Sequence, residues 1–113
     1  SVFYPGLPTH PSHGIAAKQM VGFGGVVSFV VRGGLPAART LVESAELARI
    51  APSLGGVETL IEPPAVMSYH ELGPEGRGRI GIHEGLVRLA VGIEDAADLR
   101  ADLERALARA TGG

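Results

Sequence analysis

The sequence contains no cysteine and no tryptophan, and aromatic residues make up only 4% of it. Without cysteine, disulfides, thiolate metal sites and cysteine nucleophiles are excluded, and a reducing compartment suits the chain. An excess of one charge is also missing. Ten Lys and Arg stand against twelve Asp and Glu, a net charge of −2 at pH 7, which gives no electrostatic footprint for nucleic acid or an anionic membrane surface. No apolar run approaches the roughly 20 residues that cross a bilayer, and no signal-peptide pattern opens the chain. The reading is a cytoplasmic protein with neither nucleic acid nor membrane as partner.

The chain has 113 residues, 45% of them hydrophobic and 19% charged, which is one domain's worth of globular composition with a modest core. "SVFYPGLP" opens as if in mid-strand and reads as a piece of something longer. "YPGLPTHPSHG" carries three prolines and is expected to be irregular up to a helix start at Pro11, with the helix running to about Met20. Val26 to Arg32, β-branched and bounded by glycines, is the clearest strand. From Pro36, Ala38, Leu41, Val42, Ala45 and Ala48 recur at helical spacing. A short extended piece near Ile50 follows, then a strand over Val57 to Ile61 that Pro63-Pro64 stops, and a polar, glycine-rich loop with one short helix after Pro74.

"GLVRLAVG", residues 85–92, is a further strand with Val87, Leu89 and Val91 on one face and Leu86, Arg88 and Ala90 on the other. Asp95 is placed to cap a last helix whose apolar stripe is Leu99, Leu103, Ala106, Leu107 and Ala110, with Arg105 and Arg109 near its C-terminal end. The order of elements predicts an α+β fold, a mostly antiparallel sheet with helices packed on one side.

Few residues carry chemistry on their own. His10 and His13 sit three apart, but no third ligand lies nearby, so capping or surface roles outweigh a metal site; His70 and His83 are as isolated. Gly22, Gly24 and Gly25 lack the full dinucleotide fingerprint, and no Gly-Lys-Ser/Thr follows "SLGG", so both runs read as turns rather than phosphate cradles. Ser53 as a nucleophile would need a G-x-S-x-G elbow that is absent. Arg88 is the sharper case, because a cation in mid-strand is costly unless paired. Small neighbours leave room for a carboxylate ligand on its fork. The alternative is an internal bridge to Glu62, Glu94 or Asp95, which spacing alone favours.

Taken together, "YPGLPTHPSHGIAAKQM", "GFGGVVSFVV", "APSLGGVETLIEPPAVMSYHEL" and "GIHEGLVRLAVGIEDAADLRADLERAL" resemble the C-terminal part of the Cys/Met-metabolism family of pyridoxal-phosphate enzymes. That family includes cystathionine γ-synthases, cystathionine β- and γ-lyases, methionine γ-lyases and O-acylhomoserine sulfhydrylases. The resemblance covers essentially the whole chain and implies the small C-terminal domain of a homotetrameric fold-type-I enzyme. Residues 1–25 would then lead from a missing large domain, and residues 26–113 would form a substrate-binding domain.

By the same resemblance, Arg88 grips the α-carboxylate of an amino-acid substrate. Ser53 and Leu54 line the pocket on a turn completed by Gly55 and Gly56. Pro52 occupies a position that tracks specificity, and "APSLGG" is similar to the "APS-x-GG" of plant-type cystathionine γ-synthases, which implies γ-replacement on an activated homoserine ester by cysteine. A lyase or sulfhydrylase of the family is the alternative. Pyridoxal 5'-phosphate is implied for the whole enzyme. Its lysine, its phosphate ligands and the acid on its ring nitrogen belong to the family's large domain, and the only lysine here is Lys18, in "IAAKQM". The chain is thus expected to be inactive alone. The rival from another class is a non-catalytic carboxylate-binding or oligomerisation module.

Overall fold

The computed structural model describes residues 1–112. Five strands form one sheet: β1 (Val2–Phe3), β2 (Val26–Val30), β3 (Arg49–Ile50), β4 (Leu60–Glu62) and β5 (Leu86–Ala90), in the spatial order β1-β2-β5-β4-β3. Every neighbouring pair is antiparallel except β3 with β4, which run parallel. The helices are α1 (His13–Gln19), α2 (Gly34–Ser44), α3 (Gly73–Arg79), which follows a 3-10 turn over His70–Leu72, and α4 (Ala96–Ala110).

Alternation along β5 builds the core. Val87 and Leu89 are buried on the face that meets Ala38, Leu41 and Val42 of α2 and Ala106 of α4, with Ile61 of β4 beside them. Helices α2 and α4 pack on each other over this face, as the antiparallel α+β reading requires. Between β2 and the C-terminal half of α4 they leave an apolar groove of about 820 Å³, lined by Val27, Phe29, Leu89, Leu103 and Leu107.

Several boundaries differ from the sequence pattern for identifiable reasons. Helix α2 ends at Ser44, and Ala48 is buried outside it, in the connection to β3. There the N–H groups of Glu46, Leu47 and Ala48 all donate to the carboxylate of Asp102, at 2.7, 2.9 and 3.2 Å. The strand expected over Val57 to Ile61 begins only at Leu60; ahead of it the Val57 carbonyl accepts from the Ile93 N–H and the Thr59 N–H donates to the Glu94 side chain. The Asp95 carboxylate accepts from Ala97 and Asp98 N–H at the start of α4, as a capping residue should.

Candidate active site

Across β2, β5 and β4, Ser28, Arg88 and Glu62 lie in one cross-strand row. Alternation puts this row on the face away from α2 and α4. Glu62 is 2% exposed and the Arg88 side chain 22%. The segment after Pro64 returns over this face, and Ser68 Oγ donates to both Glu62 carboxylate oxygens, at 3.1 and 3.2 Å.

Parallel strands β3 and β4 are joined by residues 51–59, a connection whose ends are close together: the Arg49 N–H donates to the Thr59 carbonyl at 2.9 Å. Both ends of this loop are clamped. At the entry, Asp102 of α4 holds the backbone of residues 46–48. Burial pushes the Asp102 carboxyl up, but those three N–H donors together with the Arg105 guanidinium outweigh it and hold the group below the usual carboxylate range.

At the exit, Thr59 is buried and gives both its N–H and its hydroxyl to Glu94, at 2.8 and 2.7 Å. These bonds, the backbone one first, keep the Glu94 carboxyl below its ordinary value. The Gly92 N–H donates to Thr59 Oγ1 at 2.9 Å and the Ile93 N–H to the Val57 carbonyl at 2.8 Å. A Cβ on Gly92 would run into the Val57 carbonyl and the backbone of Glu58 and Thr59, so glycine is what lets the loop close on β5.

Between the clamps the loop reaches Arg88. Its Nη2 donates to the Pro52 carbonyl at 2.7 Å and to the Ser53 carbonyl at 2.8 Å, while Nη1 lies 3.6 Å from Glu62 Oε1. Nε is buried without a partner among the described residues. Of the internal partners open to Arg88, Glu62 is the one beside it; Glu94 is spent on Thr59 and Asp95 on the helix cap. Pro52 and Ser53 are therefore brought to the arginine through their carbonyl oxygens. Leu54, Gly55 and Gly56 continue the turn in solvent, with Gly55 at φ +80°, a conformation that favours glycine.

The rings of His10, His13 and His83 are engaged locally. His13 Nδ1 is 2.7 Å from the Pro5 carbonyl and its ring stacks on Phe23, while His10 Nδ1 accepts the Ser12 N–H. His83 Nδ1 accepts the Gly85 N–H, and the His70 carbonyl accepts from Arg77 Nη1. Among the described residues no three His, Asp or Glu side chains are grouped to hold a metal ion.

Sequence reasoning missed two polar clusters. Asp102 lies buried at the edge of the apolar stripe of α4, and only its position one turn from Leu99 and Ala106 hints at this. Arg77, in the glycine-rich segment, is buried as well. Its Nε and Nη2 form a two-bond pair with Glu84, at 2.8 and 2.7 Å, and its Nη1 holds the Tyr69 and His70 carbonyls. The pair folds residues 69–84 onto themselves.

The profile of the family described as "Cys/Met metabolism PLP-dependent enzyme" matches residues 1–108. The chain belongs to that family. It is 50% identical over 106 residues to a cystathionine γ-lyase of Dictyostelium discoideum, a match covering 94% of this chain and 27% of that protein. It is also 50% identical over 106 residues to the chloroplastic cystathionine γ-synthase 1 of Nicotiana tabacum, covering 94% and 20%. The crystal structure of a cystathionine γ-synthase from Xanthomonas oryzae pv. oryzae in complex with cystathionine superposes with a TM-score of 0.90 at 46% identity, covering 99% of this chain and 29% of that one.

The chain thus spans about a quarter or less of the length of these curated relatives and corresponds to the C-terminal domain of the family's enzymes. A lyase and a synthase stand at the same identity, so similarity alone does not separate the two reactions. The residues present do not make a site for pyridoxal phosphate. The one lysine, Lys18, is exposed on α1, and the acids Asp102 and Glu94 are spent on backbone N–H groups.

Proposed function

We propose that this chain is the substrate-binding C-terminal domain of a PLP-dependent transsulfuration enzyme, with Arg88 taking the α-carboxylate of an amino-acid substrate. The turn from Pro52 to Gly56, through Ser53 and Leu54, forms the adjoining wall of the pocket. The observation that carries this reading is the state of the Arg88 guanidinium. It is mid-strand and partly exposed, is oriented by two main-chain carbonyls, and is left with an Nε that has no partner among the described residues and an Nη1 too far from Glu62 for a full hydrogen bond. A guanidinium fixed in this way suits a planar carboxylate.

In the complete enzyme pyridoxal phosphate supplies the electron sink. Its ligands lie in the rest of the polypeptide, so the 113 residues alone are inactive. Residues 1–25 lead from that large domain into the substrate-binding domain of residues 26–113. The apolar groove between β2 and α4 supports a further covering body of this kind. The homotetramer and the cytoplasmic location rest on the family resemblance and on the absence of cysteine.

Among the family's reactions, Pro52 favours γ-replacement of the cystathionine γ-synthase type, on an O-acyl-homoserine with cysteine as the nucleophile. Cystathionine lyase, methionine γ-lyase and O-acylhomoserine sulfhydrylase are the alternatives. The test is a comparison of substrates on the full-length enzyme. An amino-acid substrate should exceed its α-carboxamide by about a hundredfold or more in kcat/KM, the worth of two charge-assisted hydrogen bonds. Equal use of the two would overturn the reading. A purely non-catalytic module is the second class, favoured only if the source polypeptide proves no longer than these 113 residues.

A further inference from the structure

We infer that Glu62 is a positioning residue for Arg88 that sets how tightly the site holds a carboxylate; this rests on the assignment of Arg88 above. Two buried acids in the chain invite comparison. Asp102 is 1% exposed and is compensated by three backbone N–H donors and the Arg105 guanidinium at 3.0 Å. Glu62 is buried to the same degree, yet it receives one hydroxyl hydrogen from Ser68, shared between its two oxygens, and faces Arg88 Nη1 at 3.6 Å. A buried carboxylate so thinly hydrogen-bonded leans on its neighbouring cation for stability.

Glu62 also stands directly opposite Arg88 in the sheet register, so the two cannot drift apart without breaking the β4–β5 pairing. Two consequences follow for a ligand on the outer side of the guanidinium. An incoming carboxylate competes with Glu62 for Nη1, and it also feels the like charge of Glu62 across the arginine. Glu62 therefore fixes the guanidinium while lowering its pull on anions. Ser68, from the segment that folds over this face, supplies the one other contact that draws the Glu62 charge away from Arg88.

The experiment uses the full-length enzyme and reads KM and kcat for the amino-acid substrate together with the inhibition constant of propionate, a simple carboxylate. Glu62→Gln keeps the shape and an oxygen for Ser68 but removes the charge. It should lower both KM and the propionate constant by about three- to tenfold, with kcat held within about twofold, since a unit charge several ångströms away in a partly buried site acts on this scale. In an Arg88→Ala background the same change should lower both constants by less than in the parent, because the competition for Nη1 is gone and only the direct repulsion by Glu62 remains.

Ser68 is exposed, so Ser68→Ala offers a well-tolerated second variant. It leaves Glu62 with Arg88 alone and should raise KM by about two- to fivefold, the opposite sign. A structural role alone would make Glu62→Gln weaken or leave unchanged the binding of substrate and propionate, and either result overturns the inference. The assignment of Arg88 fails separately, if Arg88→Ala leaves the propionate constant where it was.

Discussion

Arg88 Nη2 lies 2.7 Å from the Pro52 carbonyl oxygen, a contact that joins residues 36 positions apart. Two unlike parts of the chain thereby become one surface: a regular strand that supplies the charge and an irregular turn that supplies its orientation. The turn holds its place because both of its ends are fixed by buried acceptors and donors far from it in sequence, Asp102 at the entry and the Thr59–Glu94 pair at the exit.

Gly92→Ala tests the exit clamp. The new methyl group meets the Val57 carbonyl and the backbone of Glu58 and Thr59, at 2.6 Å from Glu58 C and 2.7 Å from Thr59 N. Main chain cannot yield as a flexible side chain would, so unfolding measured in urea should show a loss of about 1–3 kcal/mol. In the full-length enzyme the displaced loop should also raise KM. A variant as stable as its parent would show that the loop is not held against Gly92.

Asp102→Ala tests the entry clamp. It leaves the N–H groups of Glu46, Leu47 and Ala48 without their acceptor, of which only Ala48 is a buried residue, and a loss of about 1–3 kcal/mol in urea unfolding is expected. Asp102→Asn retains an acceptor oxygen and should lose less. The surface pairs Arg79–Glu75 and Arg100–Glu104, both highly exposed, serve as controls. Breaking either should change stability by about 0.5 kcal/mol or less.

Acid should unfold the domain through the same residues. Glu84 is held below the usual carboxylate range first by its hydrogen bonds with Arg77, Glu94 by the Thr59 N–H and hydroxyl, and Asp102 by its backbone donors against the effect of burial. For a carboxyl whose folded value is depressed, the contribution is fully present above the unfolded value and is lost as pH falls toward the folded one. Urea midpoints should thus be flat from pH 7 to about 5 and fall below about pH 4, where free carboxylates take up protons. Asp102→Asn should flatten that fall, which a titration followed by circular dichroism would register.

Much of this architecture is written in local pattern. A β-branched run bounded by glycine marks β2, an alternating stretch between Gly85 and Gly92 marks β5, three- and four-residue spacing marks α2 and α4, and Asp95 marks a helix start by its side-chain chemistry alone. What local pattern does not contain is register. Nothing in the sequence near Arg88 says that Glu62 stands opposite it, or that β3 and β4 run parallel around a nine-residue loop. Buried charge was equally hidden. Asp102 borders the apolar stripe of α4 as any charged residue could, and Arg77 sits among glycines, yet both are inside because main-chain groups elsewhere, 54–56 residues away for Asp102 and seven or eight for Arg77, need them. The site residues were named through family resemblance, and the contacts among them appear only in three dimensions.

Pro52→Glu tests the residue proposed to set the reaction. A glutamate there adds an acid to the turn whose main-chain carbonyl holds the guanidinium. In the full-length enzyme the ratio of γ-elimination to γ-replacement on an O-acyl-homoserine should rise by about fivefold or more, a shift of roughly 1 kcal/mol between the two barriers. Product analysis for cystathionine and 2-oxobutanoate reads this ratio directly, and an unchanged ratio would remove Pro52 as the determinant.

The most direct measurement on the whole account is the kinetics of Arg88→Ala in the full-length enzyme, with Arg88→Lys beside it. Loss of the guanidinium should raise KM for the amino-acid substrate by about a hundredfold or more, and lysine, a point charge without the planar fork, should restore only part of it. Substrate affinity and turnover close to those of the parent in Arg88→Ala would contradict the assignment of Arg88 as the carboxylate anchor.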